Sequence, residues 1–126
     1  MINRAIVETV KRAYGYGNDR ARLLEFKAEA QDWETTKEMI RAIRTYNEFG
    51  PETVIASLTA IREAFPDERN YIEVGRESSP VIYLTFFGTS IDKLGEDFIR
   101  GQFAIASADE VSIEPKPFVK VRAWWD

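Results

Sequence analysis

Neither cysteine nor histidine occurs in the 126 residues of this chain. Without cysteine there is no disulfide, no thiolate nucleophile and no thiolate metal site. Without histidine the Ser-His-Asp and Cys-His nucleophile systems and most zinc sites are excluded, as is the commonest general base near neutral pH. Long apolar runs are missing too. The longest, Val81 to Phe87, is interrupted by Thr85 and falls short of the ~18 residues of a membrane span. The opening Met1-Ile2-Asn3-Arg4-Ala5-Ile6-Val7-Glu8 mixes charge into its apolar residues, unlike a secretory signal. Gly15-Tyr16-Gly17 lacks the following glycine, lysine and hydroxyl residues of a phosphate-binding loop. These absences lead to the expectation of a cytoplasmic protein with no membrane segment, no cofactor and no nucleotide hydrolysis.

What is present has the balance of a folded domain, with 44% hydrophobic and 30% charged residues. The length suits one domain over 1–126, with a helical N-terminal region (1–49) and a core (50–126) divided at Gly50-Pro51. The formal charge of -4 is uneven: residues 1–48 carry nine basic and eight acidic side chains, residues 49–126 eight and thirteen. A pI near 5.0 works against phosphate neutralisation, so nucleic acid is not the expected partner. Arg4, Lys11, Arg12, Arg20 and Arg22 would form a basic patch, but a solvated helix face explains them more simply.

Apolar residues at 2, 6, 10, 13 and 14 predict a first helix from about Asn3 to Tyr14, stopped by the nearby glycines. From Asp19 to Phe49 there is neither glycine nor proline, and Leu23, Phe26, Ala30, Trp33 and Ile40 keep helical spacing. This stretch reads either as one long helix or as two, broken where Asp32 would cap the second. Gly50 ends a helix and Pro51 starts the next, whose stripe is Val54, Leu58, Ile61 and Phe65. The period then changes. Tyr71-Ile72-Glu73-Val74 and Val81 to Phe87, joined through Ser78-Ser79-Pro80, read as a hairpin whose second strand is apolar on both faces and therefore central. Thr89-Ser90-Ile91-Asp92 resembles a capping arrangement, after which Ile91, Leu94, Phe98, Gln102 and Ile105 share one helical face out to about Ala106. Glu110 to Glu114 and Phe118 to Trp125 alternate at period two around Pro115-Lys116-Pro117. The expected fold is α+β: N-terminal helices, then a four-stranded, mainly antiparallel sheet in αββαββ order. That order would arise from a ferredoxin-like βαββαβ sheet with its first strand moved to the C-terminus. Two helices would cover one sheet face, leaving the other to the N-terminal helices or to a second subunit.

Candidate chemistry is sparse. Glu114-Pro115-Lys116 has the E-x-K spacing of a magnesium-dependent nuclease class, but Asp109 is too near in sequence to complete it and the proline suggests a turn. Asp92, Glu96 and Asp97 share a helix face that could hold a hard cation, but a solvated acidic first turn needs no metal. The most informative segment is the ending. In a strand, Val119, Val121, Ala123 and Trp125 face one way, and Phe118, Lys120, Arg122 and Trp124 the other. The second set mixes aromatics with cations, as at contact hot spots, although both tryptophans would also serve to cap the core. The chain is therefore expected to be a non-enzymatic interaction or inhibitor-type protein. It would bind another macromolecule, a protein, as a homo-oligomer. The alternative is a module holding a small anionic, nucleotide-like ligand at a subunit boundary through Arg122, Trp124 and Arg76. No metal or catalytic residue is assigned.

Overall fold

A computed structural model describes residues 1–16, 23–66, 69–88 and 91–126. Its elements run α1 (Arg4–Ala13), β1 (Glu25–Glu29), α2 (Trp33–Ile43), α3 (Pro51–Ala64), β2 (Asn70–Glu77), β3 (Ser79–Phe86), α4 (Lys93–Ile105), β4 (Glu110–Glu114) and β5 (Val119–Trp124). The helix starts follow from short polar side chains that satisfy otherwise unpaired N–H groups. The Asn3 side chain accepts from the Ala5 N–H at 3.1 Å and that of Ile6 at 3.4 Å. Asp32 accepts from Thr35 at 2.7 Å and Asp92 from Gly95 at 2.9 Å. Pro51 opens α3, where its missing N–H costs nothing.

The strands form one antiparallel sheet in the order β1-β2-β3-β5-β4. Chain fold class is thus α+β, with β3 central as its two-sided apolar pattern requires. The four-strand expectation is corrected to five. The extra strand, β1, lies inside the stretch read as helix. Phe26, Ala28 and Ala30 fit a period of two as well as the helical one, and pairing with β2 selects the strand. The break at Asp32 is present, and the N-terminal part of the expected helix falls partly on 17–22, outside the described residues.

All four helices pack on one side of the sheet. Val10, Ile40, Leu58, Ile99 and Phe103 belong to the same buried cluster as Val74, Ile82, Leu84, Val121 and Trp125. Burying each large apolar side chain contributes about 1.5–3 kcal/mol. The N-terminal helices therefore do not cover the second sheet face. In α4 the face shared by Leu94, Phe98 and Ile105 is not the one that meets the core. Gly95, Ile99 and Phe103 point inward, while Leu94 and Ile105 are exposed. The two faces lie about one residue, or ~100°, apart round the helix. Gly95 permits the close approach of Phe65, whose ring carbons would lie 3.2–3.3 Å from an added Cβ. Thr89 and Ser90 of the expected cap lie outside the described residues. No helix among the described residues is long and apolar enough to cross a membrane.

Candidate functional site

The sheet face away from the helices is built from alternate residues of all five strands. The register aligns Lys27, Gly75, Val81, Trp124 and Glu110 in one row and Glu29, Glu73, Tyr83, Arg122 and Ser112 in the next. A third row holds Tyr71, Thr85, Lys120 and Glu114. Beyond it, Phe87 stacks on Tyr71 at 5.4 Å and meets Phe118 edge-on at 5.2 Å. Phe87 is 37% exposed and Phe118 39%. A shallow depression of about 270 Å³ lies over the middle of this face, lined by Lys27, Tyr83, Lys120 and Arg122 among others.

Four of the five sequence-predicted residues, Phe118, Lys120, Arg122 and Trp124, share this face. Arg122 is already occupied. Its Nε donates to Glu77 Oε2 at 2.9 Å, Nη2 to Glu77 Oε1 at 3.2 Å and Nη1 to Glu110 Oε2 at 3.1 Å. Trp124 Nε1 donates to the Glu77 carbonyl at 3.0 Å, and Tyr83 donates its hydroxyl to the Glu77 carboxylate. Burial pushes the Glu77 carboxyl up, but the hydrogen bonds from Arg122 and Tyr83 outweigh it and leave the group below its ordinary 4.5. Burial, then the Glu77 hydrogen bond and charge, push Tyr83 up to about 12. Hydrogen bonding to Glu77 likewise raises Arg122 above its ordinary value.

Arg76 is not part of this face. It points to the helical side, 6% exposed, where Nη1 donates to the Ala13 carbonyl at 3.2 Å and the guanidinium lies 4.8 Å from the Tyr14 ring centre. Period two puts Arg76 on the Ile72 and Val74 side of β2, so the alternation that sorted β5 also separates it from Arg122. Trp125 is fully buried, its Nε1 donating to the Ala106 carbonyl at 2.8 Å. Of the two C-terminal tryptophans, this one closes the core. Tyr71, Glu77 and Tyr83 were not singled out in the sequence. Their alternation was visible, but the register that brings them to Arg122 and Phe118 was not.

A second concavity, about 570 Å³, opens where the end of the sheet meets α2 and α3. Arg62 lies over the Trp33 ring at 4.5 Å and Arg69 over Phe87 at 5.7 Å. Among the described residues neither guanidinium has a carboxylate partner, whereas Arg41 and Arg122 do. Glu29 and Asp32 line the opposite part of the cleft, and the hydrogen bonds from Thr35 hold Asp32 below its ordinary value. Among the described residues no group of three or more His, Cys, Asp or Glu side chains could hold a metal ion. Asp92 is committed to its cap, and Asp97 pairs with Lys93 at 3.1 Å. Asp109 accepts from the Asp126 N–H at 2.7 Å. No family model matches the chain, and no curated protein or solved structure is significantly similar to it.

Proposed function

We propose that this chain is a non-enzymatic interaction protein, of the inhibitor or adaptor kind, that docks the uncovered face of its sheet against another protein. It does so as a cytoplasmic homo-oligomer. The observation that carries this reading is the aromatic group Tyr71, Phe87 and Phe118 at the end of a sheet face on which no helix among the described residues packs. Large aromatic side chains beside cations are the residue types that dominate contact energies. The charges around them suit burial, because Arg122 with Glu77 and Glu110, and Lys27 with Glu73, are neutralised within the chain. A partner covering these pairs would not meet a lone charge in them. Lys27, Lys120 and Arg122 face six carboxylates, Glu25, Glu29, Glu73, Glu77, Glu110 and Glu114, on the same side. That excess argues against a nucleic-acid backbone. The absence of histidine and cysteine supports a role without catalysis. We read the αββαββ part as a permuted ferredoxin-like unit to which β1 has been added, an arrangement that leaves one sheet face available.

The test is site-specific photocrosslinking in the native cell. A crosslinker at position 118 should give a discrete adduct with a protein, lost when Tyr71 and Phe87 are both changed to serine. The same probe at Ala56, exposed on α3, should give none. Equal labelling at the two positions would rule out docking through the sheet.

A second reading keeps the small anionic ligand but moves it. On Arg122 it would have to displace Glu77 and Glu110, whereas Arg62 and Arg69 are held against aromatic rings and have no carboxylate partner among the described residues. Titration with a nucleoside monophosphate should quench tryptophan fluorescence, and Arg62→Gln should weaken binding by about tenfold or more. No quenching at about 1 mM would dispose of this reading.

A further inference from the structure

We infer that α4 is the subunit interface of a two-fold homodimer, packed antiparallel against α4 of a second copy. The inference gives the homo-oligomer of the proposed function a specific surface and rests on that reading for nothing else. Helix α4 turns Gly95, Ile99 and Phe103 into the core, so its opposite side faces outward. An apolar stripe runs along that side. Leu94 is 78% exposed, Ile105 67% and Phe98 38%. With Gly101 they follow a four-three-four spacing, the d-a-d-a pattern of a coiled-coil seam. Single exposed apolar residues are ordinary, but a stripe of large ones along a helix marks a contact surface.

A second copy fits because the stripe is complementary to itself. A two-fold axis crossing the helix between residues 99 and 100 sets Leu94 on the partner's Ile105 and Phe98 on the partner's Gly101. Nothing lies within 4 Å of the position a Cβ would take at Gly101, so the slot is open to a ring. Parallel pairing would oppose the two glycines and leave a void, while forcing the two Phe98 rings together. Charge selects the same direction. Asp97 and Arg100 lie along one edge of the stripe, and the antiparallel axis brings Asp97 to within about 3 Å of the height of the partner's Arg100. Parallel pairing would set the two Asp97–Arg100 edges on opposite sides of the seam and lose that pair. Arg100 uses one N–H on the Val111 carbonyl at 2.8 Å and has others to donate. Such exposed pairs fix orientation more than affinity.

Sedimentation equilibrium at about 100 μM tests the interface. The wild-type chain should weigh twice its 14.5 kDa, and Leu94→Asp with Ile105→Asp should halve that mass. Gly101→Leu is the sharper variant. In the monomer it meets open space and replaces a poor helix former, so the unfolding temperature should rise. In the dimer it fills the slot for Phe98, and the dissociation constant should rise by about tenfold or more. A monomeric wild type at this concentration overturns the proposal, as does a dimer indifferent to Gly101→Leu. A dimer dissolved instead by Phe118→Ser also overturns it, and would give the sheet face to a second copy. An α4 dimer with no adduct from position 118 keeps this interface and overturns docking through the sheet.

Discussion

Glu77 receives hydrogen bonds from side chains of both β3 and β5, through Tyr83 and Arg122, while its own backbone belongs to β2. One carboxylate thus ties three strands on the open face. Because its folded value is depressed below 4.5, its stabilisation is fully present above that pH and is lost as pH falls through the lower folded value. The pair is about one-third exposed, which reduces its worth by solvent screening. Glu77→Gln should therefore cost about 1–2 kcal/mol at neutral pH. Urea midpoints of the wild type and variant should converge as the solution is acidified below pH 4.5. A difference that stays constant down to acid would show that the carboxylate charge is not responsible. Tyr83 gives an independent readout. Its titration near 12 should move toward 10 in the same variant, as followed by phenolate absorbance. Here the sign is opposite: the neutral phenol is favoured by folding, so its contribution is present below 10 and lost as pH rises through about 12.

At the scale of elements, β1 shows where local pattern gives way to long-range pairing. Its five residues bury only one side, and its attachment depends on how closely β2 can approach. Gly75 makes that approach possible, since a Cβ there would sit 2.5 Å from the Phe26 carbonyl oxygen. Gly75→Ala should cost about 1–3 kcal/mol. Amide hydrogen exchange should speed up first in Glu25–Glu29, with the β3 and β5 amides affected least. Uniform acceleration would mean that β1 is not separately attached. Helix α3 and strand β5 were legible because proline and strict alternation admit one reading each. In Glu25-Phe26-Lys27-Ala28-Glu29 two periods compete, and the partner that decides lies nearly fifty residues away in sequence. The α4 stripe was ambiguous for a related reason. Leu94, Phe98 and Ile105 have the spacing of a core face, and sequence cannot say whether that core belongs to this chain or to two copies. For the candidate site, alternation sorted Phe118, Lys120, Arg122 and Trp124 correctly, but Glu77 and Phe87 entered only with the register.

On the scale of the whole molecule, the two candidate surfaces lie on opposite sides. The aromatic group sits on the bare sheet, and the α4 seam points away from that sheet across the helical layer. A dimer joined through α4 would place both helical layers at its centre and turn both sheet faces outward, giving two docking surfaces per particle. The spacing follows from layer thickness. Crossing a sheet-to-helix layer, the helix–helix contact and a second helix-to-sheet layer adds roughly 10 Å each, about 30 Å in all. A chain without cysteine allows single spin labels to be placed cleanly. Labels at Phe118→Cys should lie about 30 Å or more apart between the two copies, and labels at Ala104→Cys, beside the seam, about 20 Å apart or less. Pulsed electron resonance reads both distances directly. The reverse order, with 118 near its copy and 104 far from it, would mean that the sheet faces pack together, and the dimer would then hide the surface assigned to its partner.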